Sequence, residues 1–274
     1  MPKDNFFLSE TCKRRILVKK IGIISLLTVF LLAACGESSG VFEKNLEDRP
    51  IDLVALGDSL TVGVGDEEGK QGYAGRFAHS METEMDGVKS VHLIETAKKG
   101  RRSDELVEQL KSGEVNDSLK KAEFITLTIG GNDLMKVVRE NITDLNKESF
   151  DQERPLYKER YAEIFQLIRK QNKEAPIVAI GVYNPLTVYT DDPSHFEEIL
   201  KEWNGDMKEI VEKDAHSIFI PVEDLFITND AQVYSEDFFH PNAKGYGNMN
   251  NRIFETLKKA DLEKLSDGKL KIKE

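Results

Sequence analysis

Cysteine is nearly absent from this sequence of 274 residues, which has two cysteines and one tryptophan. Both cysteines, Cys12 and Cys35, lie within the first 35 residues, so the rest of the chain has no thiol pair to oxidise. A disulfide framework and a cysteine metal site are therefore excluded from the main body of the protein.

Histidine spacing offers no metal site either, and we expect neither a metal nor another cofactor. Four of the five histidines are scattered without the spacing of metal ligands, and we expect them to be surface or packed residues: His79, His92, His195 and His216.

Basic residues are also in deficit. The chain has 38 Lys and Arg against 49 Asp and Glu, and the first 34 residues carry six of the basic side chains and two of the acidic ones. The remainder has 32 basic and 47 acidic side chains, a net charge of −15. Binding to nucleic acid depends on basic side chains, so we expect no nucleic-acid partner. This negative charge would not attract the protein to an anionic membrane surface.

Long apolar runs are missing as well. Residues 21–32, IGIISLLTVFLL, are too short for the roughly 20 residues of a membrane-spanning helix. Basic residues precede this run and small residues follow it, which is typical of a secretory signal. The closing LAAC resembles the lipobox of bacterial lipoproteins. That resemblance implies cleavage before Cys35, lipidation of its sulfur, and a location on the extracytoplasmic face of the cell membrane. An uncleaved N-terminal anchor is the alternative.

Three segments are predicted along the chain: a signal peptide over 1–34, a lipidated cysteine with its tether over 35–49, and one folded domain over 50–274. The tether is polar and has no periodicity. It contains GESSG at 36–40, which matches G-x-S-x-G, but no strand precedes it, so we reject it as a nucleophile turn. We expect the protein to be a monomer.

Strand-length apolar runs alternate with helical segments in the rest of the chain. This alternation predicts an α/β fold, a three-layer α/β/α sandwich with a five-stranded parallel sheet. The predicted strands cover 51–56, 91–96, 124–129, 176–182 and 217–222, and the predicted helices 72–85, 103–111, 155–171, 195–213 and 242–262. Two irregular stretches, 139–155 and 184–194, are predicted loops near the site, and the second is a candidate lid.

Ligands of parallel sheets bind beyond the carboxyl ends of the strands, so the residues that follow each strand matter most. Ser59 follows the first strand in GDSL, a composition typical of a tight turn. Three glycines come next, Gly63, Gly65 and Gly69. Their spacing fits neither the glycine fingerprint of dinucleotide-binding proteins nor the P-loop of nucleotide-binding proteins. The acidic residues between them would also repel a phosphate. A nucleophile turn is therefore favoured over a phosphate site.

Candidate residues follow the later strands too. Gly100 precedes a predicted helix start, although the residues alone favour an ordinary loop glycine. Asn132, in GGND, could donate from its amide or cap the next helix. Asp237 and His240 are three residues apart, so the carboxylate could orient the imidazole; alone, this pair is more often an incidental surface pair.

Taken in order, GDSLT, the Gly100 block, GGND and DFFHPNAKGY resemble the four signature blocks of the SGNH or GDSL hydrolase family. The resemblance implies a flavodoxin-like SGNH hydrolase fold. It also implies Ser59 as nucleophile, His240 as general base and acid, and Asp237 as the partner of His240.

The same resemblance implies an oxyanion hole made by the backbone N–H groups of Ser59 and Gly100 and the amide of Asn132. The second block departs most from the family pattern, because Lys98, Lys99, Arg101 and Arg102 crowd Gly100.

The expected function is a lipid-anchored serine esterase, or lipase-type acylhydrolase, that cleaves carboxylic esters or thioesters through an acyl-serine intermediate. Small-molecule or lipid esters, lysophospholipids among them, are the expected substrates. Two alternatives stay open: O-acetyl esterase activity on a cell-wall polysaccharide, and a non-catalytic binding lipoprotein on the same fold.

Overall fold

The computed structural model describes residues 46–184, 194–226 and 232–273. Its strands are β1 Arg49–Gly57, β2 Met85–Asp86, β3 Val88–Glu95, β4 Phe124–Thr128, β5 Ile177–Ile180, β6 Ser217–Ile220 and β7 Lys271–Ile272. Its α-helices are α1 Ser59–Val62, α2 Gly72–Glu84, α3 Ser103–Ser112, α4 Asn116–Lys121, α5 Gly131–Glu140, α6 Lys147–Gln171, α7 Ser194–Val211, α8 Ala243–Ala260 and α9 Leu262–Leu265. A 3-10 helix covers Glu223–Phe226.

Five of these strands form one parallel sheet in the order β3-β1-β4-β5-β6. Strand β1 lies between β3 and β4, where the order of connection reverses, and such a switch point is where open parallel sheets bind ligands. Strands β2 and β7 form a separate antiparallel pair. The predicted α/β fold with a five-stranded parallel sheet is confirmed.

Alternate residues of the strands enter two hydrophobic cores, one on each face of the sheet. Val54 and Leu56 of β1 belong to the core that α3, α6 and α7 cover, whereas Leu53 and Ala55 belong to the core beneath α2 and α8. Successive side chains of a strand point to opposite faces, and this period of two produces the three layers.

The stretch 139–155 is not the long loop that the sequence predicts. Helix α5 continues to Glu140 and α6 begins at Lys147, so only 141–146 is irregular. Asn146 caps α6 by accepting the N–H of Ser149 at 3.2 Å. Pro155 stands inside the helix rather than at its start. Proline removes one backbone hydrogen bond, but Phe150 before it and Tyr157 after it are both buried in the core and hold the helix together.

Some predictions lie outside the described residues, including Cys12, Cys35, the GESSG run and residues 185–193 of the candidate lid. The apolar pattern does not predict α1, α4, α5, α9, β2 or β7, which have between two and ten residues each. Elements this short show little periodicity. Within the described ranges, no helix has the length and apolar character to cross a membrane.

Candidate active site

The turn after β1 presents Ser59 at the carboxyl end of the sheet. Gly57 has φ +142, and a Cβ there would lie 2.3 Å from the carbonyl oxygen of Thr128 on β4, so only glycine fits. Asp58 then caps α1, accepting the N–H of Leu60 at 3.0 Å. Ser59 is the first residue of that helix, where backbone N–H groups have no partner within the helix.

A second tight turn, residues 235–240, shapes the environment of Asp237. Its Oδ1 accepts the backbone N–H of Phe239 at 3.0 Å and of His240 at 2.9 Å, and the hydroxyl of Ser235 at 2.7 Å. Burial by itself would raise the pKa of Asp237, but hydrogen bonds from the His240 ring and these donors outweigh it. The pKa lies well below its usual value, so the carboxylate stays ionised.

These two turns bring Ser59, His240 and Asp237 into one hydrogen-bonded row. The Nε2 of His240 lies 2.9 Å from the Oγ of Ser59, although 181 positions separate the two residues. The Nδ1 of His240 lies 2.5 Å from the Oδ2 of Asp237. When Nδ1 carries the proton, its N–H donates a hydrogen bond to Asp237. Nε2 then accepts a hydrogen bond from the hydroxyl of Ser59.

Asn132 reaches the same site from the next strand. Gly130 is the N-cap of α5, so Asn132 lies in the first turn of the helix and does not cap it. Its Nδ2 donates to the carbonyl oxygen of Arg101 at 3.1 Å, and it lines the same cavity as Ser59. An amide nitrogen carries two hydrogens, so one stays available to a ligand.

Gly100 is less directly placed. It occupies an exposed turn after β3 with φ +78, and it is not among the residues that line the cavity. It directly precedes Arg101, whose carbonyl accepts the Asn132 amide. The structure thus places Gly100 in the loop bonded to Asn132, and its role stays a prediction.

A cavity that opens to solvent lies beside Ser59. Ser59 and Asn132 form part of its polar edge. The other walls are mainly apolar side chains, contributed by Leu60, Ile129, Leu134, Met135, Val182, Tyr183 and Phe239. A pocket with apolar walls and a few convergent polar groups suits a ligand with an apolar portion next to a reactive polar group.

Comparison with known proteins identifies the family. Residues 55–247 match the GDSL-like lipase/acylhydrolase family. The chain belongs to this family. The match covers most of the chain and is not confined to the short motifs.

Two related proteins and one solved structure show this likeness. The uncharacterized protein YpmR of Bacillus subtilis strain 168 is 36% identical over 89% of this chain and 99% of its own length. The spore germination lipase LipC of Bacillus licheniformis is 27% identical over 74% of this chain and 94% of its own. The crystal structure of the lipase Lip_vut3 from a goat rumen metagenome has a TM-score of 0.67 at 26% identity, covering 78% of this chain and 99% of that one.

As a GDSL-like hydrolase, the protein is an enzyme that cleaves esters. The family and enzyme predictions are confirmed, and the non-catalytic binding alternative loses its support.

The glycine-rich loop after the GDSL turn is structural. Asp66 accepts the N–H of Gly72, the first residue of α2, at 2.9 Å. It also pairs with both terminal nitrogens of Arg76 at 2.5 and 2.9 Å. Asp66 therefore fastens the loop to α2, which agrees with the preference for a nucleophile turn over a phosphate site.

Two residues of the GDSL-hydrolase site that the sequence analysis misses hold the cavity wall. Asn204 of α7 accepts the N–H of Val182 and donates to its carbonyl, both at 2.9 Å. The hydroxyl of Tyr183 donates at 2.7 Å to the carbonyl of Phe239, directly before His240. No motif marks either residue, because the contacts join elements far apart in the chain.

Proposed function

We propose that this chain is a lipid-anchored extracytoplasmic serine esterase that cleaves lipid-derived carboxylic esters or thioesters, lysophospholipids among them. The observation that carries the proposal is the contact of 2.9 Å between Ser59 Oγ and His240 Nε2 at the edge of a mainly apolar cavity. LipC, a relative that is 27% identical to this chain, is named as a spore germination lipase.

Acylation is the first step. The Oγ of Ser59 attacks the carbonyl carbon of the ester while its proton passes to His240 Nε2. Asp237, ionised and hydrogen-bonded to Nδ1, favours the imidazolium that forms. The tetrahedral intermediate then collapses, the bond to the leaving alcohol or thiol breaks, and His240 returns its proton to the leaving group. An acyl-Ser59 ester remains.

Deacylation repeats the step with water as nucleophile. His240 Nε2 takes a proton from the water, whose oxygen attacks the acyl carbon, and the Ser59 oxygen leaves with the proton that His240 returns. The products are a carboxylic acid and the regenerated enzyme, and no additional reactant is needed.

The negative charge of each tetrahedral intermediate falls on the former carbonyl oxygen. We assign its stabilisation to the backbone N–H groups of Ser59 and Gly100 and to the second hydrogen of the Asn132 amide. Loss of one such donor typically lowers kcat by about 10² to 10³.

The walls of the cavity favour an acyl chain longer than acetate. Leu60, Leu134, Met135 and Val182 would leave apolar surface uncovered around an acetyl group. Burying apolar surface contributes about 25 cal/mol per Å², so each added methylene that reaches this wall should improve kcat/KM. An O-acetyl esterase would show the opposite preference.

The test is hydrolysis of p-nitrophenyl esters from acetate to palmitate by purified residues 36–274, with Ser59→Ala as the matched control. We expect turnover that rises beyond acetate and disappears in the control. A maximum at acetate would favour the polysaccharide deacetylase. Turnover that survives in Ser59→Ala would contradict the assigned nucleophile.

The lipid anchor requires its own test, because Cys35 lies outside the described residues. We expect mass spectrometry of the full chain expressed in a bacterium to show cleavage before Cys35 and a lipid on its sulfur. Cys35→Ser should release the protein from the membrane fraction. An unmodified Cys35 would exclude the anchor without affecting the proposed chemistry.

A further inference from the structure

Arg101 differs from the other basic residues around Gly100. Lys98 and Lys99 are exposed, and Arg102 pairs with Asp104 at 2.9 Å near the surface. Arg101 is only 7% exposed. The block that departs most from the family pattern thus contains one arginine that points inward.

The buried guanidinium ties together the ends of two neighbouring strands. Its Nη1 donates to the carbonyl of Thr96, after β3, at 2.8 Å, and to the carbonyl of Gly57, at the end of β1, at 3.4 Å. Gly57 lies two residues before Ser59. The side chain of Arg101 therefore bridges the loop that contains Gly100 to the base of the nucleophile turn.

The backbone of the same residue makes the third connection. The carbonyl of Arg101 accepts Asn132 Nδ2 at 3.1 Å, which sets the direction of that amide. Through its two ends Arg101 contacts the surroundings of all three assigned oxyanion donors: Ser59, Gly100 and Asn132.

Within the described residues, no carboxylate lies within ion-pair distance of Arg101. Burial lowers the pKa of its guanidinium, with nearby acidic groups opposing this in part. A buried cation held by carbonyl dipoles is costly. Its two carbonyl partners also have other donors, because the carbonyl of Gly57 accepts the N–H of Lys98 at 3.1 Å and the carbonyl of Thr96 accepts the side-chain amide of Gln109 at 3.2 Å. Arg101 is not among the residues that line the cavity.

Hydrogen bonds from the neighbouring Ser103 also hold this loop in place. Asp133, the residue after Asn132, accepts the N–H of Ser103 at 3.0 Å and its hydroxyl at 2.5 Å. The loop that contains Gly100 is thus bonded on one side to Gly57, at the end of β1, and on the other to Asp133, after the end of β4. Arg101 lies between these two contacts. The backbone N–H of Lys98 also bonds to Gly57, at 3.1 Å, but Arg101 reaches the end of β1 with a long side chain that a mutation can shorten without changing the backbone.

We propose that Arg101 is a positioning residue for the oxyanion hole: its guanidinium holds the Gly100 loop against the nucleophile turn, and so aims the Gly100 N–H and the Asn132 amide at the tetrahedral oxyanion. This inference rests on the proposed function, because it requires the oxyanion hole assigned there.

The test compares Arg101→Lys, which keeps the charge but not the guanidinium geometry, with Arg101→Met and with Lys99→Met as a control for charge loss on the same loop. Steady-state kinetics use the p-nitrophenyl ester that the wild type cleaves best. We expect kcat to fall by at least about tenfold in both Arg101 variants while KM stays within about threefold, since only the transition state loses an interaction. Lys99→Met should behave like the wild type.

A double-mutant cycle with Asn132→Ala separates positioning from general structural support. If Arg101 acts through the oxyanion hole, Arg101→Lys should lower kcat much less in the Asn132→Ala background than in the wild type. Equal losses in both backgrounds, or full activity of Arg101→Lys, would overturn the inference. Thermal unfolding of each variant identifies any that fail to fold. If Arg101→Met does not fold, the kinetics of the conservative Arg101→Lys variant test the inference.

Failure of the proposed function would give a different pattern of activities among these variants. Full activity in Asn132→Ala, or in Ser59→Ala, would contradict the assigned hole or the nucleophile whatever Arg101 does. Normal loss in those variants together with an unaffected Arg101→Lys would contradict the positioning role alone.

Discussion

Asp58 supports the nucleophile turn from a buried position, with 4% of its surface exposed. Its Oδ1 accepts the hydroxyl of Thr128 at 3.0 Å, and Thr128 contacts Thr61 at 2.7 Å, which in turn contacts Tyr73 at 2.8 Å. A column of buried hydroxyls therefore lies beneath Ser59. Burial raises the pKa of Asp58 to about 6, against the hydrogen bonds from Leu60 and Thr128 that lower it.

This raised pKa predicts a pH-dependent stability. The folded value of about 6 exceeds the unfolded value of 3.8, so the native state holds more protons between them. The contribution of Asp58 to stability is present below pH 4 and is lost as the pH rises through 6, a change on the order of 3 kcal/mol for this group. Asp58→Asn keeps the acceptor oxygen and removes the charge.

We therefore expect the stability of Asp58→Asn relative to the wild type to increase between pH 4 and pH 7, as measured by urea unfolding. Asp117→Asn, whose side chain is 91% exposed, is the control and should show no such trend. A flat difference across this pH range would contradict the buried, proton-binding carboxyl.

At the scale of elements, α2 and α8 cover the face of the sheet that lies opposite α6 and α7. Phe77 of α2 meets Phe124 of β4 edge-on, with ring centroids 5.4 Å apart, and Phe254 of α8 at 5.5 Å. This cluster joins both helices of that layer to the sheet. The stability of the layer thus depends on a few large aromatic contacts.

Phe77→Ala should lower the free energy of unfolding by about 3–5 kcal/mol, because a fully buried ring leaves a cavity between three elements. Denaturant unfolding measures this loss. Leu156→Ala is the control, since Leu156 is 50% exposed and should change stability by less than about 0.5 kcal/mol. A loss below about 1 kcal/mol in Phe77→Ala would mean that the helices repack around the gap.

At the scale of the whole molecule, the folded unit begins at the end of the sheet opposite the site. Strand β1 starts at Arg49 and delivers Ser59 about 30 Å away, at roughly 3.3 Å per residue. The N-terminal end of β1 therefore lies on the side of the sheet away from the cavity.

The compact unit runs from Leu46, and Asp48 contributes to it by accepting the N–H of Gly87 at 3.1 Å. A chain of residues 46–274 should therefore fold and hydrolyse soluble esters with the same kcat/KM as residues 36–274. Matched melting temperatures within about 2 °C would agree with this. A chain that begins at residue 54 should fail to fold, since it lacks half of β1. Lower stability of the 46–274 chain would show that residues 36–45 pack on the domain.

The sequence by itself determines the alternation of strands and helices, because the period of apolar residues records which faces are buried. It also contains the site residues in short motifs, since GDSL, GGND and DFFH each match the residue preferences of a local turn. The start of α6 at Lys147 escaped prediction, because the buried Phe150 and Tyr157 support a helix through Pro155. Only the tertiary structure decided that Ser59, His240 and Asp237 meet and that Tyr183 and Asn204 bond to the cavity wall. It also decided that Arg101 is the buried one among the four basic residues around Gly100. Those contacts join residues tens to hundreds of positions apart, and no local pattern records which distant partner a side chain will find.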